Sequence, residues 1–248
     1  MKVFGLIGFP LEHSFSKSYF TEKFEKEKIG ARYENFPIES LAELPSIFEE
    51  NLLLKGLNVT IPYKEKIIPF LHKIESEAKK IRAINTIRIE HLYGNIHLTG
   101  FNTDVDGFEL SLVPLLRPQH TRALIIGAGG ASRSVCYVLD KLKIKWKIVS
   151  RNPQTAQMIS YSEVTHSLID SSKLIINTSP LGMFPRTEGF PDLPYSSIGP
   201  EHLLYDLVYN PQLTQFMQKG LQNGAQVKNG LEMLQIQADK AWEIWNIE

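Results

Sequence analysis

Residues 122–132 read RALIIGAGGAS: an apolar strand, a turn holding Gly127, Gly129 and Gly130, and the opening of a helix. Such glycines permit a tight turn and let backbone N–H groups approach a pyrophosphate at the helix amino terminus. Ser132 takes the third glycine position and is small enough for close packing. A glycine turn alone also serves structural ends; its place between strand and helix points to a nucleotide. KWKIVSRN (145–152) supplies the next strand. An NAD site calls for an acid at the end of that strand, about 20 residues on, to hold the ribose 2′-hydroxyl. Here Val149-Ser150-Arg151-Asn152 offers none. The planar fork of Arg151 suits a 2′-phosphate instead, so NADP is expected over NAD.

Strand and helix signals alternate along most of the 248 residues, which predicts an α/β fold with largely parallel sheets. KVFGLIG (2–8), ARYENFPI (31–38) and GLNVT (56–60) read as strands. SKSYFTEKFEKEK (16–28), LAELPSIFEENLL (41–53) and KEKIIPFLHKI (64–74) read as helices. NTIRIE (85–90) and NIHLTGF (95–101) form a hairpin-like pair around Tyr93-Gly94-Asn95. A helix over 104–116 leaves the first domain, and the polar RPQHT (117–121) is a hinge ahead of the second domain's strands. KLIINTSP (173–180) is a further strand, and LEMLQIQADKAWEIW (231–245) a helix with two tryptophans. The expected domains are 1–104 with the helix 231–248 added, and 105–230. The span from Asn152 to Lys173 is short for half a Rossmann domain and predicts a trimmed helix.

Bulk composition excludes several classes. Lys plus Arg and Asp plus Glu both number 27, and no basic stripe appears, which argues against nucleic acid. The apolar runs are too short for a membrane span, and MKVFGLIGFP reads as a first strand and not a signal peptide. One cysteine, Cys136, excludes an internal disulfide and fits a reducing cytoplasm. Its helical position makes it a small core residue rather than a nucleophile. Seven scattered histidines show no ligand spacing, so no metal is expected.

Four polar clusters fall at predicted strand ends: Ser14 and Ser16, Thr60 and Lys64, Asn85, and Asp104. Each has a plain structural use, since Ser14 or Asp104 could cap a helix and Asn85 could serve a turn. Together, hydroxyls, an amide, an ammonium and a carboxylate suit a polyhydroxylated acid. Ser14 and Ser16, two apart in an extended segment, would face one way, toward a substrate carboxylate.

The chain resembles the shikimate dehydrogenase family over essentially its whole length. The motifs occur in order: S-x-S at 14–16, N-V-T-x-P-x-K at 58–64, A-x-N-T at 83–86, N-T-D at 102–104 and G-A-G-G-A at 127–131. N-T-S-P-L-G-M at 177–183, Tyr-Asp-x-x-Tyr at 205–209 and G-L-x-M-L-x-x-Q at 230–237 follow. The resemblance implies an α/β substrate domain, a Rossmann domain, a cleft between them, and a last helix that packs on the substrate domain. It implies reversible NADPH-dependent reduction of 3-dehydroshikimate to shikimate in the chorismate pathway. Lys64 and Asp104 match the catalytic pair, Lys64 as proton donor and acceptor. Ser14, Ser16, Thr60, Asn85, Tyr209 and Gln237 match substrate contacts. Gly127, Ala128, Gly129, Gly130, Ala131, Arg151, Thr178, Leu207 and Gly230 match cofactor positions, with Thr178 and Ser179 toward the nicotinamide half. A monomer or homodimer is compatible with the sequence.

Two departures stand out. Thr155 replaces a second basic residue in the 2′-phosphate loop, and Arg82 replaces the usual glycine before A-x-N-T. The rival readings are a quinate/shikimate dehydrogenase with relaxed cofactor use and a catalytically silent nucleotide-binding homologue. Ser16, where threonine often marks quinate use, and Arg151 count against the first, and the retained Lys64 and Asp104 count against the second. An interaction module finds little support, because the conspicuous polar residues lie at strand ends and not on an apolar face.

Overall fold

The computed structural model describes every residue except Glu12, His13, Tyr93 and Glu248, so the Tyr93 of the expected hairpin turn lies outside the described residues. The chain divides into two compact units, Met1–Thr103 with Gln237–Glu248, and Asp104–Ile236.

In the first unit β1 (Lys2–Gly8), α1 (Phe15–Lys26), β2 (Ala31–Pro37), α2 (Leu44–Glu50) and β3 (Leu54–Val59) follow one another. Then come β4 (Lys73–Ile74), α3 (Ser76–Ile81), β5 (Thr86–Leu92) and β6 (Asn95–Phe101). The sheet order is β2-β1-β3-β5-β6-β4. β1 pairs in parallel with β2 and β3, and β4 with β6, whereas β3–β5 and β5–β6 are antiparallel. The apolar run of β1 has a direct reason. Val3 and Ile7 enter one core, while Phe4 and Leu6 enter the other, so both faces of the strand are buried.

The second core holds an aromatic cluster. Phe20, Phe24 and Tyr33 meet Ala238, Ala241 and Trp245 of the last helix. Trp245 stacks on Phe4 at 4.9 Å, and its indole N–H donates to the Ile87 carbonyl at 3.0 Å. Gly56 has no room for a side chain because that indole lies against it. Truncating such a tryptophan to alanine removes roughly 3–5 kcal/mol.

The segment 64–74, expected as a helix, is instead a series of turns, a 3₁₀ turn over Ile68–Phe70 and strand β4. Pro69 cannot supply the helical N–H, and the neighbouring strand captures the chain. His72 N–H donates to Leu98 O at 3.0 Å, and Glu75 N–H to Gly100 O at 2.9 Å. The expected helix 41–53 is a 3₁₀ turn, Leu41–Glu43, that passes into α2, with Pro45 in its tolerated first turn. Helix α3 has no counterpart among the expected elements. It is six residues long and capped by Glu75, whose carboxylate accepts from Glu77 N at 2.7 Å.

The second unit runs α4 (Asp104–Leu112), β7 (Arg122–Ile126), α5 (Gly130–Lys141), β8 (Lys145–Val149) and β9 (Met158–Ile159). α6 (His166–Ser171), β10 (Leu174–Asn177), β11 (Leu203–Asp206), α7 (Gln215–Gln222) and β12 (Gln226–Lys228) complete its sheet. α8 (Leu231–Trp245) begins in this unit and ends in the first. All five pairings are parallel, in the order β12-β11-β10-β7-β8-β9. That is the strand order of a doubly wound dinucleotide fold, with its switch point between β7 and β10. The 152–173 span holds the short α6, begun by Thr165, whose hydroxyl accepts from Leu168 N at 3.2 Å. Among the described residues no helix is long and apolar enough to cross a membrane.

Candidate active site

Strand β3 ends at Val59, and Thr60 N–H still reaches Ile7 O at 3.0 Å before the chain turns through the cis Ile61–Pro62 bond. Tyr63 pins this turn, its hydroxyl donating to Ile38 O at 2.7 Å. Lys64 follows half-buried, and its carbonyl accepts from Ile84 N at 2.7 Å. The backbone of Lys64 is thereby tied to the residue next to Asn85.

Asn85 is 2 % exposed and belongs to no turn. Its N–H donates to Phe101 O at 3.1 Å, and its carbonyl accepts from Val59 N at 2.8 Å, so its backbone bridges β3 and β6. Its side-chain amide donates to Thr103 Oγ1 at 3.0 Å and to Gln237 Oε1 at 3.1 Å. The amide oxygen accepts from Thr103 N at 2.7 Å and Thr86 Oγ1 at 3.1 Å. Behind it, Tyr33 donates to Asn58 Oδ1 at 2.7 Å, and Asn58 Nδ2 donates to Thr86 Oγ1 and Asn85 O at 3.3 Å each. Burial pushes the Tyr33 phenol well up, and a hydrogen bond with Ser16 opposes that shift. The network therefore runs from Ser16 to Gln237 and carries no formal charge. Tyr33, Asn58, Thr86 and Thr103 are members that do not stand out in the sequence as site residues. An asparagine within an otherwise buried strand is the available signal for Asn58.

The two serines differ. Ser14 stands at the N-cap position of α1 but makes no capping bond, and among the described residues its buried Oγ has no hydrogen-bond partner. Ser16 already lies in the first turn of α1, so the two do not share an extended segment, and the expected same-side alternation does not apply. Asp104, 5 % exposed, is the first helical residue of α4 and not its cap, and with Asp106 it lies at the positive end of the helix. Asp104 and Tyr209 belong to the second unit, and Lys64, Asn85, Thr60 and Gln237 to the first.

In the second unit the expected cofactor residues all follow strand ends on one edge, because β7, β8, β10, β11 and β12 are parallel. Gly127 has φ +103°, a conformation reserved for glycine, and an added Cβ would meet Thr178 Oγ1 and Ser179 N at 3.1–3.2 Å. Thr178 ties the two loops by donating to Ile126 O at 2.9 Å. Gly129, before Gly130 and Ala131 of α5, has open space around its Cβ position, and the first turn of α5 carries no acid. Ala128 completes this turn. Arg151 is exposed just past β8, and Thr155 is exposed four residues on. Gly230 packs on the Leu207 backbone, where a Cβ would come within 2.6 Å of the carbonyl carbon. A glycine cradle, an acid-free helix start and an arginine at the next strand end fit a dinucleotide with a 2′-phosphate.

The half-buried Cys136 thiol is pushed up to about 12 by burial, so it is no nucleophile at neutral pH. Among the described residues no cluster of three His, Cys, Asp or Glu side chains could hold a metal.

Residues 6–87 match the model for the shikimate dehydrogenase substrate binding domain. A shikimate dehydrogenase (NADP(+)) of Desulforamulus reducens is 34% identical, covering 98% of this chain and 89% of that protein. The Aquifex aeolicus enzyme of the same name is 35% identical over 99% of this chain and 91% of its own length. The solved shikimate 5-dehydrogenase of Thermus thermophilus, in complex with NADP(H) and shikimate, superposes with a TM-score of 0.85 at 29% identity, covering 99% of this chain and 94% of that one. Identity above 30% along nearly the full length is decisive: the chain belongs to the shikimate dehydrogenase family.

Proposed function

We propose that the protein catalyses the reversible NADPH-dependent reduction of 3-dehydroshikimate to shikimate in the chorismate pathway. The observation that carries this reading is the buried amide–hydroxyl set of Asn85, Thr103 and Gln237, next in the chain to the residue that anchors the Lys64 backbone. Neutral donors and acceptors of that kind recognise ring hydroxyls without fixing a charge.

When bound, NADPH supplies the hydride that the carbonyl carbon receives. The Lys64 ammonium gives the proton to the carbonyl oxygen and takes it back in the reverse direction. Asp104 is the acidic member of the catalytic pair. Ser14, Ser16, Thr60, Asn85, Tyr209 and Gln237 contact the substrate, the two serines at its carboxylate. Gly127, Ala128, Gly129, Gly130 and Ala131 present backbone to the pyrophosphate, while Arg151 takes the 2′-phosphate. Thr178, in the loop toward the nicotinamide half, and Leu207 and Gly230 complete the cofactor positions. We take the substrate domain as Met1–Thr103 with Gln237–Glu248 and the cofactor domain as Asp104–Ile236, in place of the expected 1–104 with 231–248 and 105–230. We place the enzyme in the cytoplasm, consistent with its lone, half-buried cysteine.

Steady-state rates with shikimate and quinate, each against NADP and NAD, test the reading. The shikimate–NADP combination should give the highest kcat/KM. A preference for quinate or NAD would overturn it.

A further inference from the structure

Asp206 is fully buried at the end of β11, and the chemistry above makes no use of it. Its Oδ1 accepts from Asn177 Nδ2 at 2.9 Å and from Val208 N at 3.0 Å, and its Oδ2 accepts from Thr214 Oγ1 at 2.6 Å. Three donors satisfy a carboxylate that would otherwise be costly to bury. Two of them lead to the cofactor loops. Asn177 ends β10, and its amide oxygen accepts from Ser179 N at 3.1 Å and Ser179 Oγ at 2.6 Å, which fixes the turn that carries Thr178. Val208 follows Leu207, whose own N–H donates to Asn177 O at 2.9 Å, and Gly230 N–H donates to Val208 O at 3.2 Å. The third donor, Thr214, leads elsewhere: it caps α7, its hydroxyl accepting from Met217 N at 3.4 Å.

We propose that Asp206 is a positioning residue for the cofactor, holding the 177–183 loop through Asn177 and the 207–209 segment through Val208. One carboxylate thereby aligns two strand-end loops that follow neighbouring parallel strands. A carboxylate is suited to this because every partner is a donor, so each bond is accepted without competition. The inference rests on the reading of this unit as the NADP site.

The experiment measures NADP Kd by equilibrium titration for Asp206→Ala, Asn177→Ala and the double variant, with melting temperature alongside. Each single change should raise Kd about tenfold, the scale of one lost buried hydrogen bond, and the double should add little more. Asp206→Asn keeps an acceptor for Asn177 and Val208 and should restore Kd to within about threefold. Thr214→Val, which removes the helix cap and the donor to Asp206 Oδ2 but neither loop tie, should lower the melting temperature and leave Kd within about twofold. Additive effects of Asp206 and Asn177, or an unchanged Kd in a folded Asp206→Ala or Asn177→Ala protein, would overturn the proposal. Amide exchange at 178–183 in cofactor-free protein keeps the two readings separate. Faster exchange in Asp206→Ala or Asn177→Ala supports the positioning role even if the parent binds no NADP, and unchanged exchange refutes it.

Discussion

In the first unit the polar groups proposed to meet the ligand are side chains, from Ser14 and Lys64 through the Asn58–Asn85–Thr103–Gln237 network, whereas those proposed in the second unit are main chain at Gly127, Gly129 and Gly230. The difference follows the ligands proposed for each. A ring acid is told from its relatives by its hydroxyls, and only placed side chains can read those. A pyrophosphate is the same in every dinucleotide and is bound by backbone N–H groups at a helix start. The two materials fail in different ways. A side-chain network fails when one member is left unpaired, and a backbone cradle fails when a Cβ intrudes.

The largest break is expected at Gly230. Alanine there would force apart the Leu207 backbone and should destabilise the second unit by about 2–3 kcal/mol, with weakened NADP binding. Urea unfolding of Gly230→Ala checks this, and a small residue being accepted without loss would undo the cradle argument. In the first unit Asn58→Leu leaves the Tyr33 hydroxyl without its 2.7 Å acceptor, at a cost of about 2 kcal/mol. The same unfolding measurement should show it, with a higher KM for shikimate and little change in that for NADP.

Proton linkage separates the units further. Burial raises the Asp206 carboxyl to about 6, against hydrogen bonds from Thr214, Val208 and Asn177 that lower it. A raised folded-state value means that its contribution is complete below about 4 and is lost as pH rises toward about 6. The stability of Asp206→Asn relative to the parent should therefore increase with pH across that window; parallel curves would show that Asp206 does not titrate there. His120 and His202 act in the opposite sense, since burial lowers both. Their contribution is present above about 6.5 and lost as pH falls below it. The amide–hydroxyl network of the first unit carries no group that titrates in this range.

The smallest effect is a gain. Arg82 closes α3 with φ +58°, and its N–H donates to Ala78 O at 2.9 Å, the left-handed cap position that glycine fills best. This accounts for the glycine that the family usually carries there. Arg82→Gly should stabilise the first unit by up to about 1 kcal/mol without altering turnover, and a lower urea midpoint would contradict that.

What can be read from the sequence varies with the length and isolation of each pattern. β1, β6 and α8 fall on the residues expected, because a two-sided apolar run, a clean alternation and a fifteen-residue periodic helix leave few alternatives. The 64–74 segment departs from expectation because its apolar spacing mimics a helix, while Pro69 and the edge of β6 decide otherwise. Ser14, Lys64, Asn85 and Asp104 can be named from their motifs. The chain of buried partners behind them cannot. Asn58, Thr86 and Thr103 meet only when three strands and the end of the substrate-domain sheet are in register. Asp206 likewise lies within a recognised motif, but its role depends on Asn177 and Thr214, 29 and 8 residues away.

The division of labour between the units comes to its sharpest test in Lys64→Ala, with turnover and NADP affinity measured on the same preparation. We expect a kcat lower by at least ~10², the scale of a lost general acid, with NADP Kd unchanged. Undiminished turnover, or an equal loss in NADP affinity, would refute it.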